Sequence, residues 1–416
     1  MQSIKYKKRS MKQRRKEHDM GLSIGIAGLG KFARGFVELF RKHPAVDRLA
    51  LCDVLPERLA PYAENEAYRD KLHPRDLCQE FDALCRLDLD AIAIFTQPWL
   101  HAPMAIQALE SGKHVYSAVP LIMLPDTGEI LDWCHRLVEC CDHTGLRYML
   151  GETTRFRPQT MFCLRQARNG AFGDFVYAEG EYMHDVDARC NLREVKAWRE
   201  NTPVGREWQR RRRRYTEQGK LASPMLYPTH SVSGPLAVMN TMALKVHAIG
   251  FRNRTRDPYF DDMAFSNVTA LFQLSNGASL RICEFRECAG GFHASETFRI
   301  MGTRGSFAEN TWRENGRSAN TPAHELQVRS LTDDEMRDPL PPEVREAWQK
   351  EDGSGVAYGG HGGSHAYLVH EFVDSIINDR SPVVDARTAA HYTAMGVAAH
   401  SSALRDGEIM PVLNWF

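Results

Sequence analysis

Apolar and polar positions fall into two textures along the chain. From about residue 20 to 150, short continuous apolar runs alternate with stretches of helical periodicity, the mark of parallel strands buried on both faces. Leu22–Ala27 is the first such run, and a helix is predicted to follow over Phe32–Arg41. Further strands are predicted at Leu49–Cys52, Leu89–Phe95, Lys113–Tyr116 and Gly145–Gly151, with helices over His101–Ser111 and Asp126–His143. From Phe175 onward the strands lengthen and alternate: Phe175–His184, Leu244–Phe251, Ala264–Leu274, Ala278–Phe285 and Thr297–Met301. The turns Ser275-Asn276-Gly277 and Gly302-Thr303-Arg304-Gly305 separate several of them, as an antiparallel meander requires. A long irregular connection is expected from Ser330 to Gly363, then two closing helices, Ser364–Asn378 and Asp385–Arg405. The pattern predicts an α/β protein in three parts. These are an extension over 1–19, a doubly wound parallel sheet over 20–150, and an α+β domain with an open antiparallel sheet over 151–416.

Composition narrows the partners. A chain of 416 residues has room for two domains and a sizeable core. Basic and acidic residues balance at 53 each, so no global field draws in nucleic acid or a membrane surface. No apolar run approaches the roughly 20 residues of a membrane-spanning helix. The ten cysteines show neither a C-x-x-C pair nor metal-ligand spacing and read as reduced thiols of a cytoplasmic protein. His361 and His365 stand four apart, but no third ligand follows, and no metal is expected. The basic arm from Lys5 to Lys16 is expected to carry no function, and Arg210–Arg214 reads as a solvated stretch.

The first strand leads directly into chemistry. Gly28, Gly30 and Ala33 fall at the spacing of a dinucleotide-binding turn, with Lys31 and Phe32 inside it. Asp53 ends the second strand, where a carboxylate takes ribose hydroxyls and disfavours a 2′-phosphate, which points to NAD. Arg58 lies close enough in sequence to hold such a phosphate instead. Thr96 and Gln97 end the third predicted strand, where a doubly wound sheet presents cofactor contacts.

This half, followed by an open antiparallel half, resembles the Gfo/Idh/MocA oxidoreductases over most of the chain. The segment from Thr96-Gln97-Pro98-Trp99-Leu100-His101 to His114-Val115 is similar to that family's second block, which adds Trp99 and His101 to the cofactor-binding candidates. Many members end this block in Glu-Lys-Pro, with lysine beside the nicotinamide; here Ala118-Val119-Pro120 stands instead, and Val119 and Pro120 take the corresponding place.

Polar residues in the second half resemble one branch, the NAD-dependent α-N-acetylgalactosaminidases. They comprise Glu152 after the last Rossmann strand, Gly180-Glu181-Tyr182-Met183-His184-Asp185, the turn Tyr227-Pro228-Thr229-His230, and Gly360-His361-Gly362-Gly363. By position, the resemblance implies Glu152, Tyr182, Tyr227 and His230 as catalytic candidates. It also implies a mechanism in which a ring hydroxyl is oxidised, a proton leaves the neighbouring carbon, the glycosidic group is expelled, and the hydride is returned. His230 is assigned to the hydroxyl and Tyr182 to the C–H proton; histidine and tyrosine suit such transfers when burial tunes them. Lys220–Leu226 and Ser364-His365 depart from the branch, which leaves the sugar open. A plain sugar or polyol dehydrogenase and a non-catalytic NAD-binding regulator are the alternatives. A homodimer or homotetramer is expected to cover the open sheet.

Overall fold

The computed structural model describes residues 21–188, 191–289, 295–318, 320 and 322–416, so the basic extension over 1–19 lies outside the described residues. Six parallel strands form the first sheet: β1 (Leu22–Ala27), β2 (Val46–Cys52), β3 (Leu72–Cys78), β4 (Ala91–Ile94), β5 (His114–Ala118) and β6 (Tyr148–Gly151). Their order is β3-β2-β1-β4-β5-β6. The order reverses between β1 and β4, which opens a crevice at the carboxyl ends of those strands. Ile24, Ile26, Ile92 and Ile94 are wholly buried, as two-sided packing requires. The helix Ala33–Lys42 lays Phe36, Val37 and Phe40 against one face of the sheet. The helix Thr127–Thr144 starts on Asp126, whose carboxylate accepts from the Gly128 and Glu129 amides, and ends on left-handed Gly145. The strand β3, absent from the prediction, carries His73, Pro74 and Arg75 in mid-strand, a composition suited to an edge.

The second sheet adds β7 (Phe175–Met183), β8 (Ala243–Phe251), β9 (Asn267–Leu274), β10 (Ser279–Phe285), β11 (Ser295–Gly302), β12 (Gly305–Ala308), β13 (Thr311–Glu314), β14 (Gln327–Ser330) and β15 (Met410–Pro411). Its order, β14-β13-β12-β11-β7-β10-β9-β8-β15, corrects the expected meander. The strand β7 lies between β10 and β11, parallel to the first and antiparallel to the second. Alternation marks which face a strand buries and carries no record of its neighbour, so this insertion was hidden. The connection Ser330–Gly363 is also less irregular than expected, since it holds helices Asp333–Met336 and Pro342–Ala347. Among the helices not predicted are Pro56–Ala63, Phe81–Arg86 and Pro158–Arg168, and the pair Leu192–Glu200 and Pro203–Glu217. The last of these carries Arg210–Arg214 and stacks Trp208 on Trp99, centroids 4.6 Å apart.

Helices Thr229–Met239 and Ala386–Leu404 cover one face of this sheet. One glycine sets that contact: a Cβ on Gly180 of β7 would meet the Ser231 carbonyl oxygen at 1.8 Å. The helix start therefore lies directly on the strand, and His230 is brought to Tyr182.

Candidate active site

The turn after β1 fits a dinucleotide. Gly28 has φ +88°, and a Cβ there would meet the Phe95 carbonyl at 2.8 Å, so only glycine closes this turn. A Cβ on Gly30 would meet nothing within 4 Å, which leaves the backbone open to a pyrophosphate. The following helix has no acidic residue in its first turn to compete for its N–H groups. Asp53 is buried at the end of β2. Its Oδ2 accepts from the Leu29 amide at 2.7 Å and from Arg58 at 3.2 Å. Arg58 in turn lies 4.9 Å over the ring of Trp198, which is half exposed. Lys31 and Phe32 are exposed beside the turn.

The other cofactor candidates sit at this end of the sheet in differing roles. Thr96 and Gln97 are partly exposed beyond β4. Trp99 is buried against Trp208. His101 is buried, with Nδ1 2.7 Å from the Pro120 carbonyl and Nε2 3.2 Å from that of Thr96. Burial pushes its pKa down to about 4, so the ring is neutral and braces the loop around the cis Val119-Pro120 bond. Trp99 thus shapes the cradle through packing, and both ring nitrogens of His101 face backbone carbonyls.

The catalytic candidates converge where the two sheets meet. Along the covered face of the second sheet, Ala178, Leu280, Ile282, Phe298 and Ile300 are apolar and buried. Toward the first sheet the same face turns polar, and register sets Tyr182 between Glu284 and Glu296 in one row. Arg286 follows on that face, buried, with its guanidinium 4.4 Å over the Tyr182 ring and 5.8 Å over the Tyr227 ring. Its Nη2 donates to Glu284 at 3.1 Å, and Ser231 donates to the other Glu284 oxygen at 2.6 Å. Burial raises Glu284 to about 7 against the pull of Arg286. Arg157 pairs with Glu296.

Two proton-holding pairs stand in this setting. Glu152, directly after β6 and wholly buried, accepts from the Thr154 amide and lies 2.9 Å from His230 Nδ1. Burial pushes the Glu152 carboxyl up, but His230 and the hydrogen bonds around it hold it below the ordinary carboxylate value. Burial opposes charge on His230, yet Glu152 and then Glu296 carry it up to about 9. At rest the pair is therefore carboxylate and imidazolium. The second pair is Tyr182 and His184, with Oη 2.7 Å from Nδ1. Burial outweighs Arg286 and drives the Tyr182 pKa upward, so its phenol is neutral beside His184. The Tyr182 and His230 rings meet edge to face at 5.3 Å.

Glu152, Tyr182, Tyr227 and His230 thus share one cluster, while Glu284, Arg286, Glu296 and Arg157 were missed. A signal for two of them was present: Leu280, Ile282, Glu284 and Arg286 stand two apart, so the strand points a carboxylate and a guanidinium inward. Among the described residues no group of three or more His, Cys, Asp or Glu is placed to hold a metal ion. No helix among them is long and apolar enough to cross a membrane.

Fold and cradle together define a Rossmann-type oxidoreductase framework joined to an α+β domain. The part of the chain over residues 22–152 matches the oxidoreductase family with an NAD-binding Rossmann fold, Gfo/Idh/MocA. It is the part built to hold a nicotinamide dinucleotide. A "Glycosyl hydrolase family 109 protein" of Stenotrophomonas maltophilia is 27% identical over 416 residues, covering 90% of this chain and 85% of the relative. Another of the same name, from a Shewanella species, is 28% identical over 223 residues and 51% of this chain; the chain spans only 43% of that relative. The Lactobacillus casei scyllo-inositol dehydrogenase with bound NAD(H) and scyllo-inositol shares the fold. Its TM-score is 0.61 at 19% identity, over 94% of this chain and 99% of that one.

Proposed function

We propose that the chain is an NAD-dependent enzyme acting on a sugar or glycoside by oxidation, elimination and return of the hydride. The observation that carries this reading is the presence of two separate proton-holding pairs, Glu152–His230 and Tyr182–His184, in one cluster beside the dinucleotide crevice. A plain dehydrogenation moves one proton with the hydride; an intervening elimination needs a second base at the neighbouring carbon. The names of the family 109 relatives and the absence of lysine at Val119 agree with it.

Gly28, Gly30 and Asp53 hold the cofactor, with Thr96, Gln97, Lys31 and Phe32 along its path. The Asp53 carboxylate favours NAD over NADP, and Arg58 is held by Asp53 itself. Bound there, the nicotinamide supplies a reversible hydride acceptor. His230 takes the hydroxyl proton once its resting proton has gone, a loss favoured by any positive charge entering the crevice. Tyr182 takes the C–H proton after passing its own to His184 Nδ1, with Arg286 over the ring stabilising the phenolate. Tyr227 shares that guanidinium and flanks the substrate. The working form is a cytoplasmic homodimer or homotetramer that covers the open sheet face.

A screen of 4-nitrophenyl glycosides with NAD, with mass spectrometry of small molecules that co-purify, tests the reading. Nitrophenol release without NADH accumulation is expected. Stoichiometric NADH with a stable keto-sugar would establish the plain dehydrogenase.

A further inference from the structure

The Gly-His-Gly-Gly turn before the helix Ser364–Ile377 brings another histidine to the cluster. His361 holds φ +51°, a left-handed conformation that side-chain-bearing residues adopt mainly at turns and functional sites. Its ring lies 6.5 Å from that of His230, nearly parallel at 21°. Its other side meets Phe32 edge-on at 5.8 Å, beside the dinucleotide turn. His361 therefore stands between the cradle and the Glu152–His230 pair.

Hydrogen bonds decide where its proton sits. The Gly360 amide donates to His365 Nδ1 at 3.2 Å. A backbone N–H can only donate, so Nδ1 is the bare nitrogen and the neutral His365 ring carries its proton on Nε2. That atom lies 2.9 Å from His361 Nδ1 and donates to it. His361 must then carry its own proton on Nε2, an atom with no hydrogen-bond partner among the described residues. Burial supports this arrangement by pushing His365 down to about 3, which keeps it uncharged. A protonated His361 would reverse the chain and set a ring N–H against the Gly360 amide.

We propose that His361 is a further residue of the active site, presenting a neutral Nε2–H to a sugar oxygen, and that His365 and Gly360 are positioning groups that fix its tautomer. The role rests on the oxidation–elimination reading. As Tyr182 takes the proton beside the ketone, the C–H pair moves onto the carbonyl oxygen, where His361 donates without giving up its proton. The carbonyl then re-forms, the enolate pair becomes the C=C bond to the anomeric carbon as the glycosidic C–O bond breaks, and the departing oxygen keeps that bond's electrons and takes a proton from water. A neutral imidazole is suited to this work because it strengthens its hydrogen bond as charge develops.

The test uses the full-length protein with NAD and 4-nitrophenyl N-acetyl-α-galactosaminide in D2O. Wild type is expected to exchange the sugar C–H with solvent. His361→Ala is expected to slow that exchange about 100-fold and to slow NADH formation in a single turnover by a clearly smaller factor. His361→Gln, which keeps an N–H donor of similar reach, should recover most of the loss, which a merely structural role would not. Nitrogen-15 spectra of histidine-labelled protein, assigned with the same variants, should show His361 neutral and protonated on Nε2. Absence of exchange in wild type would remove the glycosidase reading and this role with it. Exchange in wild type that His361→Ala leaves within about threefold, or a proton found on Nδ1, would overturn the His361 proposal alone.

Discussion

His230 Nδ1 lies 2.9 Å from Glu152 Oε1, and this one contact sets the charge at the centre of the cluster. His230 titrates near 9 in the folded chain against 6.5 for a free imidazole. The native state thus holds a proton that the unfolded state releases, so the stabilisation is complete below about pH 6.5 and is lost as pH rises toward 9. On the order of 3 kcal/mol is at stake. Glu152→Gln keeps an acceptor for the Thr154 amide and removes the charge. Denaturant unfolding from pH 6 to 9.5 should show wild type losing stability relative to Glu152→Gln across that window. A parallel pair of curves would dissociate His230 from Glu152.

Gly180 is the joint on which the cluster turns. An alanine Cβ there would sit 1.8 Å from the backbone oxygen of Ser231, an atom that cannot rotate away. The helix Thr229–Met239 must retreat from β7 and take His230 with it. Gly180→Ala should cost about 1–3 kcal/mol of stability. Activity should fall further than the folded fraction, as read by denaturation and by single-turnover reduction on the same preparation.

Five of the six strands of the nucleotide-binding half were legible in the sequence for a physical reason. Strands buried on both faces must be continuous apolar runs, and β1 was predicted with the bounds it has, Leu22–Ala27. Gly28 was legible because a tight turn at positive φ needs one residue type at one place, and Asp53 because the second strand was predicted to end on it. The helix that carries Arg210–Arg214 was lost because a charged, amphipathic stretch reads as a surface loop. The place of β7 was lost because pairing is decided by strands far along the chain, as Tyr177 pairs with Ser279 and Met301. His230 was legible only through a resemblance, while its pairing with Glu152 required the fold. That pairing raises the His230 pKa to about 9, so the ring must release a proton before it can accept one.

Asp53 should govern the choice of cofactor. Its carboxylate accepts from the Leu29 amide and holds Arg58 at 3.2 Å. Asp53→Ala frees the guanidinium and removes the negative charge from the ribose end. NAD should bind about tenfold more weakly, a loss of about 1.4 kcal/mol, and NADP more tightly than it binds wild type. Calorimetry with both dinucleotides decides it; unmodified protein that prefers NADP would sink the assignment.

The open sheet face should be an interface. Ile249 and Leu271 are 65% and 50% exposed on it, and Met301 is 43% exposed. Between them run Arg281 and Arg299, both paired with Glu179. Apolar residues around an ordered charge ladder fit a second copy of the same chain. Light scattering at micromolar concentration should give a dimer or tetramer, and Leu271→Glu should shift it toward the monomer. A wild-type monomer would end this reading.

The division of labour between the two pairs is the most demanding expectation. His230→Ala removes the group that receives the hydroxyl proton, so cofactor reduction itself should fall, by about 100-fold or more. Tyr182→Phe leaves Glu152–His230 in place and removes the acceptor for the C–H proton. Reduction in a single turnover should survive, while exchange of the sugar C–H with deuterium and expulsion of nitrophenol should be lost. The buried phenol also predicts a signature in pH. Because burial raises Tyr182 and His184 must first take its proton, exchange should rise with pH, whereas reduction should rise only as His230 sheds its resting proton near 9. His184→Phe should impair exchange without touching reduction, since it acts through Tyr182. If His230→Ala and Tyr182→Phe depress reduction equally, the two pairs act as one and a single proton transfer is all the site performs.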